Sequence, residues 1–137
     1  YNIGEYTDCI LKPNEVECWR AVYNNEGYID AGYDEFIDAA QLLAKKNRST
    51  VFCTLGKRGS IVTDGDRTEK ADAVLFDGEV EICGAGDTSL SAFSAAIAAK
   101  TELKSAAQFA GLASGVTVRK IGVTGTASPE EIEALAQ

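Results

Sequence analysis

The chain has 137 residues, 45% hydrophobic and 25% charged, the balance of a globular protein and the length of one domain that buries roughly two-thirds of its unfolded surface. Thirteen Lys and Arg against 21 Asp and Glu give a formal net charge of −8, which argues against a basic face for nucleic acid or an anionic membrane surface. Histidine is absent, so histidine general bases, Ser-His-Asp and Cys-His catalysis and histidine metal sites are excluded. Chemistry here falls to carboxylates, hydroxyls, lysines, thiols or backbone amides.

The first residues, Tyr1-Asn2-Ile3-Gly4-Glu5, carry neither an initiating methionine nor a basic and apolar leader. The expectation is a piece of a longer cytoplasmic protein. The uncharged runs of the helical region, Thr88 to Ala99 with 12 residues and Ser105 to Val118 with 14, fall short of the roughly 20 that span a bilayer. Cys9, Cys18, Cys53 and Cys83 form no Cys-x-x-Cys pair, so reduced, buried thiols are expected, Cys9 and Cys53 lying in apolar strand-like runs.

In chain order, Cys9-Ile10-Leu11 reads as a short strand ended by Lys12-Pro13. Asn14 caps a helix through Val16, Trp19, Arg20 and Val22, and Tyr23 to Gly32 reads as a loop. Asp34 to Asn47 is amphipathic, with Phe36, Ile37, Ala40, Leu43 and Ala44 on one face. Its first turn carries Asp34 and Glu35 and its last Lys45 and Lys46, matching the helix dipole. Thr50 to Leu55 reads as a strand covered on both faces. Ser60 to Thr63, Ala73 to Phe76 and Val80 to Cys83 are further extended pieces. Gly84 to Gly86 opens a helix whose small residues predict burial on nearly every side. Thr101 is the expected cap of the next helix, Glu102 to about Val118. Ser128-Pro129-Glu130-Glu131 is a capping box that starts a terminal helix. Strands early and helices late indicate an α/β layered sheet.

Three segments could carry chemistry. Gly84-Ala85-Gly86-Asp87 lies between an extended piece and a helix, so backbone amides can converge there on an anion, with Asp87 in the first turn as a proton acceptor. The same four residues also fit a plain glycine turn before a helix. Thr54-Leu55-Gly56-Lys57-Arg58-Gly59 follows the apolar strand at its C-terminal end, where α/β sheets bind ligands; it also fits a tight hairpin turn. Asn14 and Glu17 share one helical face after the first strand, as oxygen donors for waters around Mg²⁺ or as an ordinary cap followed by a solvated acid.

Gly84-Ala85-Gly86-Asp87-Thr88 with its small-residue helix resembles the C-terminal signature of the ribokinase-like (PfkB) carbohydrate kinases. Leu11-Lys12-Pro13-Asn14 with Glu17 resembles that family's Pro-Asn-x-x-Glu segment. Thr54-Leu55-Gly56 with Gly59 is similar to its nucleotide-loop Thr-Leu-Gly-x-x-Gly. The three occur in the family's order and cover essentially the whole chain.

The resemblance implies ATP-dependent phosphorylation of a hydroxyl on a sugar or sugar phosphate. Asp87 is then the catalytic base on the catalytic loop Gly84, Ala85, Gly86, and the amides of Ala85 to Asp87 hold the transferring phosphoryl charge. Thr54, Gly56, Gly59, Gly111 and Ser114 contact the nucleotide, and Asn14 and Glu17 organise Mg²⁺ through water. It implies a doubly wound, mostly parallel sheet with helices on both faces. Residues 1–137 are the nucleotide-binding C-terminal half of the kinase domain, without the N-terminal half and lid. Gly56 and Gly84 then meet at one sheet edge, and an uncovered sheet edge favours a homo-oligomer with negligible turnover of its own.

Gly115 to Gly122 and Ser128 to Glu131 look most like the heptose-7-phosphate kinases within that family. Glu81 and Cys83 depart from the Asp and Thr usual near a monovalent-cation site, for which carbonyls around Val118, Ile121 and Val123 remain. Gly111 stands where relatives often carry asparagine near the adenine. Two other classes compete: a non-catalytic ligand-binding or assembly module, and a dinucleotide-binding oxidoreductase. The oxidoreductase lacks its third glycine, because Leu90 and Ala92 follow Gly84-x-Gly86.

Overall fold

The computed structural model describes residues 2–24 and 31–137, so most of the loop expected over Tyr23 to Gly32 lies outside the described residues. The chain gathers into two compact units, Tyr1–Ala71 and Asp72–Gln137.

The first unit runs β1 (Ile10–Leu11), α1 (Glu15–Tyr23), α2 (Tyr33–Asn47), β2 (Thr50–Thr54), β3 (Ser60–Thr63) and β4 (Thr68–Ala71). Its sheet has the order β1-β2-β3-β4. β1 and β2 are parallel, with Ile10 opposite Thr50 and Leu11 opposite Val51. A parallel pair needs a long crossover, and α1 and α2 supply it. β2–β3 and β3–β4 are antiparallel, because only short turns join them. The α/β class therefore holds, with one parallel and two antiparallel pairings among the described residues.

Burial on both faces of β2 leaves Val51, Phe52 and Cys53 inaccessible, as an apolar run without alternation requires. On α2 the buried face is Phe36, Ala39, Ala40, Leu43 and Ala44, the 3.6-residue stripe of an amphipathic helix. It packs in one core with Leu11, Val51, Cys53, Leu55 and Ile61. Trp19 of α1 joins that core, its ring 5.5 Å from Phe36 and 4.6 Å from Tyr23. Asn47, buried at the end of α2, donates from Nδ2 to the carbonyl of Gly4 at 2.8 Å.

The second unit holds α3 (Ala85–Ala98), α4 (Leu103–Thr117) and α5 (Pro129–Ala136). The strands expected at Ala73–Phe76 and Val80–Cys83 do not form. The last strand is β4, whose final residue Ala71 pairs with Ser60 at the start of β3, so the sheet offers residue 72 no partner strand to continue along. Burial of α3 also differs from expectation. Only Ser89 and Phe93 are buried on it, because its neighbour α4 covers one side, with Ala106, Ala107, Ala110 and Ala113 buried. Small residues there serve close approach of two helices rather than enclosure. Thr101 is not the cap of α4. Its N–H donates to Ala96 at the end of α3, and Glu102 takes the cap position. α5 starts on the expected Ser128 and Glu131 capping box.

All four cysteines are free, Cys18 and Cys53 buried, Cys9 and Cys83 exposed. The apolar neighbours of Cys9 predict its burial, but it precedes β1 on the surface. The hydrogen bond with Cys18 and burial together push the Cys53 thiol well above the ordinary thiol range. Iodoacetamide near neutral pH is therefore expected to label Cys9 and Cys83 in the native protein and to reach Cys18 and Cys53 only on unfolding, as peptide mass mapping will read. Leu43→Ala should destabilise the first unit by about 2–5 kcal/mol through transfer and cavity losses, read as a lower urea midpoint in the fluorescence of Trp19.

Candidate functional site

Parallel pairing of β1 and β2 brings two of the predicted segments together. Thr54 at the end of β2 donates its N–H to the carbonyl of Pro13 at 3.0 Å, and Asn14 forms a parallel bridge with Thr54. Asn14 caps α1. Its Oδ1 accepts from the N–H of Glu17 at 2.9 Å, and Glu17 Oε2 accepts from the N–H of Asn14 at 2.8 Å. Both side chains are exposed. The capping role and the ligand role therefore fall on the same two residues, with the second carboxylate oxygen of Glu17 outside the reciprocal cap bonds.

The turn from Thr54 to Gly59 closes the hairpin into β3, Leu55 donating to the carbonyl of Gly59 at 2.8 Å. Gly56 and Gly59 sit at φ +57° and +83°, where L side chains are strained. A β-carbon at Gly56 would meet nothing within 4 Å, so backbone conformation alone selects glycine there. Arg58 ties this turn to both helices. It pairs with Glu15 of α1, and its guanidinium lies 4.9 Å from the centre of the Phe36 ring on α2.

In the second unit Gly84 caps α3 at φ +82°, with no side-chain hydrogen bond to the helix. Its carbonyl accepts from Thr88 at 2.9 Å, and Ala85 donates to Ile82 at 3.2 Å. The predicted amide cluster thus narrows to Gly86 and Asp87, first-turn N–H groups with no carbonyl inside the helix to bond. Asp87 and Gly86 are exposed. A β-carbon on Gly84 would lie 3.0 Å from Thr124 Cγ2 and 3.3 Å from the carbonyl of Gly125, so this glycine answers to packing as well as to φ. The chemistry such an end supports is anion binding, through the dipole and two open amides, beside a carboxylate that can accept a proton.

Other predicted residues are placed less tightly. On α4 the Ser114 hydroxyl donates to the carbonyl of Gly111 at 3.1 Å. A β-carbon on Gly111 would only touch the carbonyl of Asp72 at 3.9 Å, whereas at Gly115 it would stand 3.1 Å from Val74 and 3.2 Å from Leu135. Close packing of α4 therefore rests on Gly115, and Gly111 leaves open space. Glu81 donates its N–H to the Val118 carbonyl at 2.8 Å, and its carboxylate accepts from the N–H of Cys83 at 3.3 Å. Thr117, Thr124 and Gly125, which surround the start of α3, carry no sequence signal of a role there. Their contacts with it span about thirty to forty residues, and no local motif marks them.

The described residues hold no cluster of three or more His, Cys, Asp or Glu side chains that could hold a metal ion. Asn14 and Glu17 still suit Mg²⁺, a hard cation that keeps several waters and is bound through one or two carboxylates. Both are exposed oxygen donors, and Asn14 bridges Thr54 at the start of the glycine turn. Among the described residues no helix is long and apolar enough to cross a membrane.

Comparison with known proteins places the family and the fold. The model for the pfkB family of carbohydrate kinases matches residues 6–131. The bifunctional protein HldE of a Nitratiruptor species is 34% identical over 127 residues, covering 90% of this chain and 26% of that protein. HldE of Shewanella baltica is 30% identical over 136 residues, covering 98% and 28%. Among solved structures, phosphofructokinase-2 from Escherichia coli in complex with potassium superimposes with a TM-score of 0.81 at 21% identity, over 98% of this chain and 43% of that one. Arabidopsis thaliana ribokinase complexed with ribose and ATP gives 0.78 at 23%, over 93% and 40%.

The fold is thus ribokinase-like, an α/β fold shared with kinases of sugars and sugar phosphates. The chain belongs to the pfkB family of carbohydrate kinases. It spans about a quarter of the length of the HldE proteins it matches.

Two glycine replacements separate backbone strain from packing. Gly56→Ala and Gly84→Ala each place a side chain at positive φ, costing about 1–2 kcal/mol. Only Gly84→Ala adds a tight contact with Thr124, so the larger loss in chemical denaturation is expected there.

Proposed function

We propose that this chain is the nucleotide-binding C-terminal half of a carbohydrate kinase domain that phosphorylates a hydroxyl of a sugar or sugar phosphate, a heptose 7-phosphate being the substrate class favoured by the sequence of its final helices and loop. The observation that carries the reading is the start of α3. Gly84 at φ +82° leaves that helix without a side-chain cap, and an exposed carboxylate, Asp87, stands in the first turn beside two open amides.

Bound ATP supplies the transferable phosphoryl group, and Mg²⁺ neutralises charge on it. Asp87 accepts the proton of the attacking hydroxyl. The N–H groups of Gly86 and Asp87, helped by the dipole of α3, hold negative charge on the phosphoryl oxygens. Thr54, Gly56 and Gly59 take the nucleotide side, Gly111 and Ser114 line the base, and Asn14 and Glu17 orient waters on the metal. A monovalent cation is assigned to the carbonyls around Val118, Ile121 and Val123; that of Val118 also accepts from Glu81 and keeps a second lone pair. Use of ATP assigns the reaction to the cytoplasm. A homo-oligomer is the expected assembly, and exposed Glu69 and Lys70 guard the β4 edge against further pairing.

Asp87→Asn tests the reading in the complete gene product, with ATP and a heptose 7-phosphate as substrates. The variant keeps the shape and the amides but loses the proton acceptor, so kcat should fall by about 10² to 10⁴, with the KM for ATP little changed. Near-normal kcat in Asp87→Asn would remove Asp87 from the mechanism.

A further inference from the structure

The geometry points to Thr117, the last residue of α4, as a positioning residue for Asp87, acting through the Thr88 hydroxyl; this rests on the kinase reading of the same site. Thr117 is 1% exposed. Its Oγ1 lies 3.2 Å from the Thr88 hydroxyl and 3.2 Å from the carbonyl of Ala113. One proton cannot serve both contacts at once, so the two hydroxyls share the bonding between them. Thr88 follows Asp87 directly and is itself anchored, its N–H donating to Gly84.

A second set of contacts closes the circuit. The segment Thr124-Gly125 is wedged between the end of α4 and the start of α3. A β-carbon on Gly125 would stand 2.7 Å from the Thr117 carbonyl, and one on Gly84 would stand 3.0 Å from Thr124. That carbonyl of Thr117 also accepts from Lys120 at 3.1 Å, which fixes where the chain leaves α4. The first turn of α3 is therefore held at Gly84 by a backbone wall and at Thr88 by a buried hydroxyl. Asp87 lies between the two anchors. Its carboxylate is exposed, so the backbone beneath it must supply the aim.

The test replaces Thr117 in the complete gene product, assayed with ATP and a heptose 7-phosphate. Thr117→Val keeps the shape and removes the hydroxyl; kcat should fall by about tenfold to a hundredfold, the scale of a small misplacement of a reacting group. The KM for ATP and the melting temperature should stay near the parent values. Thr117→Ser restores the hydroxyl and should restore kcat. Amide resonances of Gly86 and Asp87 should shift in Thr117→Val and return in Thr117→Ser. If Thr117→Val fails to fold, Thr88→Val removes the same bond from the half-buried side and takes its place. Unchanged kcat in the valine variant, while Asp87→Asn is inactive, overturns the positioning role and leaves the kinase reading intact. An active Asp87→Asn overturns the kinase reading and the role together. Loss of kcat that serine does not rescue assigns Thr117 to packing alone and also overturns the proposal.

Discussion

A β-carbon at residue 84 would be strained in backbone and tightly packed at the start of α3. Gly84 must adopt φ +82° to turn the chain into the helix, and the space where a side chain would project is already filled by Thr124 and the carbonyl of Gly125. These two constraints are independent, since the first concerns local sterics and the second a segment forty residues on. Together they make the start of α3 a backbone surface. Gly86 and Asp87 follow in the exposed first turn of the helix.

The helix starts divide according to how they satisfy their amides. At α1 the Asn14 side chain and the Glu17 carboxylate close the first turn on themselves. Ser128 and Glu131 do the same at α5, and the Glu35 carboxylate accepts from Gly32 at the start of α2. The Glu131 carboxyl is also held below its ordinary range, first by Lys120 and then by the Ser128 amide. An external anion gains little at an end already supplied with its own carboxylate. Neither α3 nor α4 has a side chain bonded back to its cap, and of these two only α3 carries an acid, Asp87, in its first turn.

The first unit reaches its candidate residues by another route. The crossover through α1 and α2 aligns β1 parallel to β2, so both strands end at the same side of the sheet. Asn14 and Thr54 come together there through a bridge and the hydrogen bond from Thr54 to Pro13. Arg58 then braces the turn against Glu15 and Phe36. Beneath it lies the core of Phe36 to Leu43 on α2 and Val51 to Cys53 on β2.

Local chemistry in the sequence determined much of this protein. Asn14 with Glu17 and Ser128 with Glu131 are capping boxes because the partners lie three residues apart. The stripe from Phe36 to Ala44 fixes α2, and the apolar run of β2 fixes its burial. The segments around Asn14, Thr54 and Gly84 carried the family resemblance, since each is a short motif whose residues act on their own neighbours. Tertiary structure alone decided the rest. Residues 73–76 and 80–83 have strand-like composition, but an extended segment becomes a strand only beside a partner, and the ladder with β3 runs out where Ala71 meets Ser60. Helix α3 reads as enclosed from its small residues, yet composition cannot say how many elements surround a helix, and α4 covers one side. Cys9 looks buried beside Ile10, but neighbours in sequence do not fix which face the fold leaves open. Thr117, Thr124 and Gly125 have no signature at all, for their part at Gly84 and Thr88 exists only where chain segments distant in sequence meet.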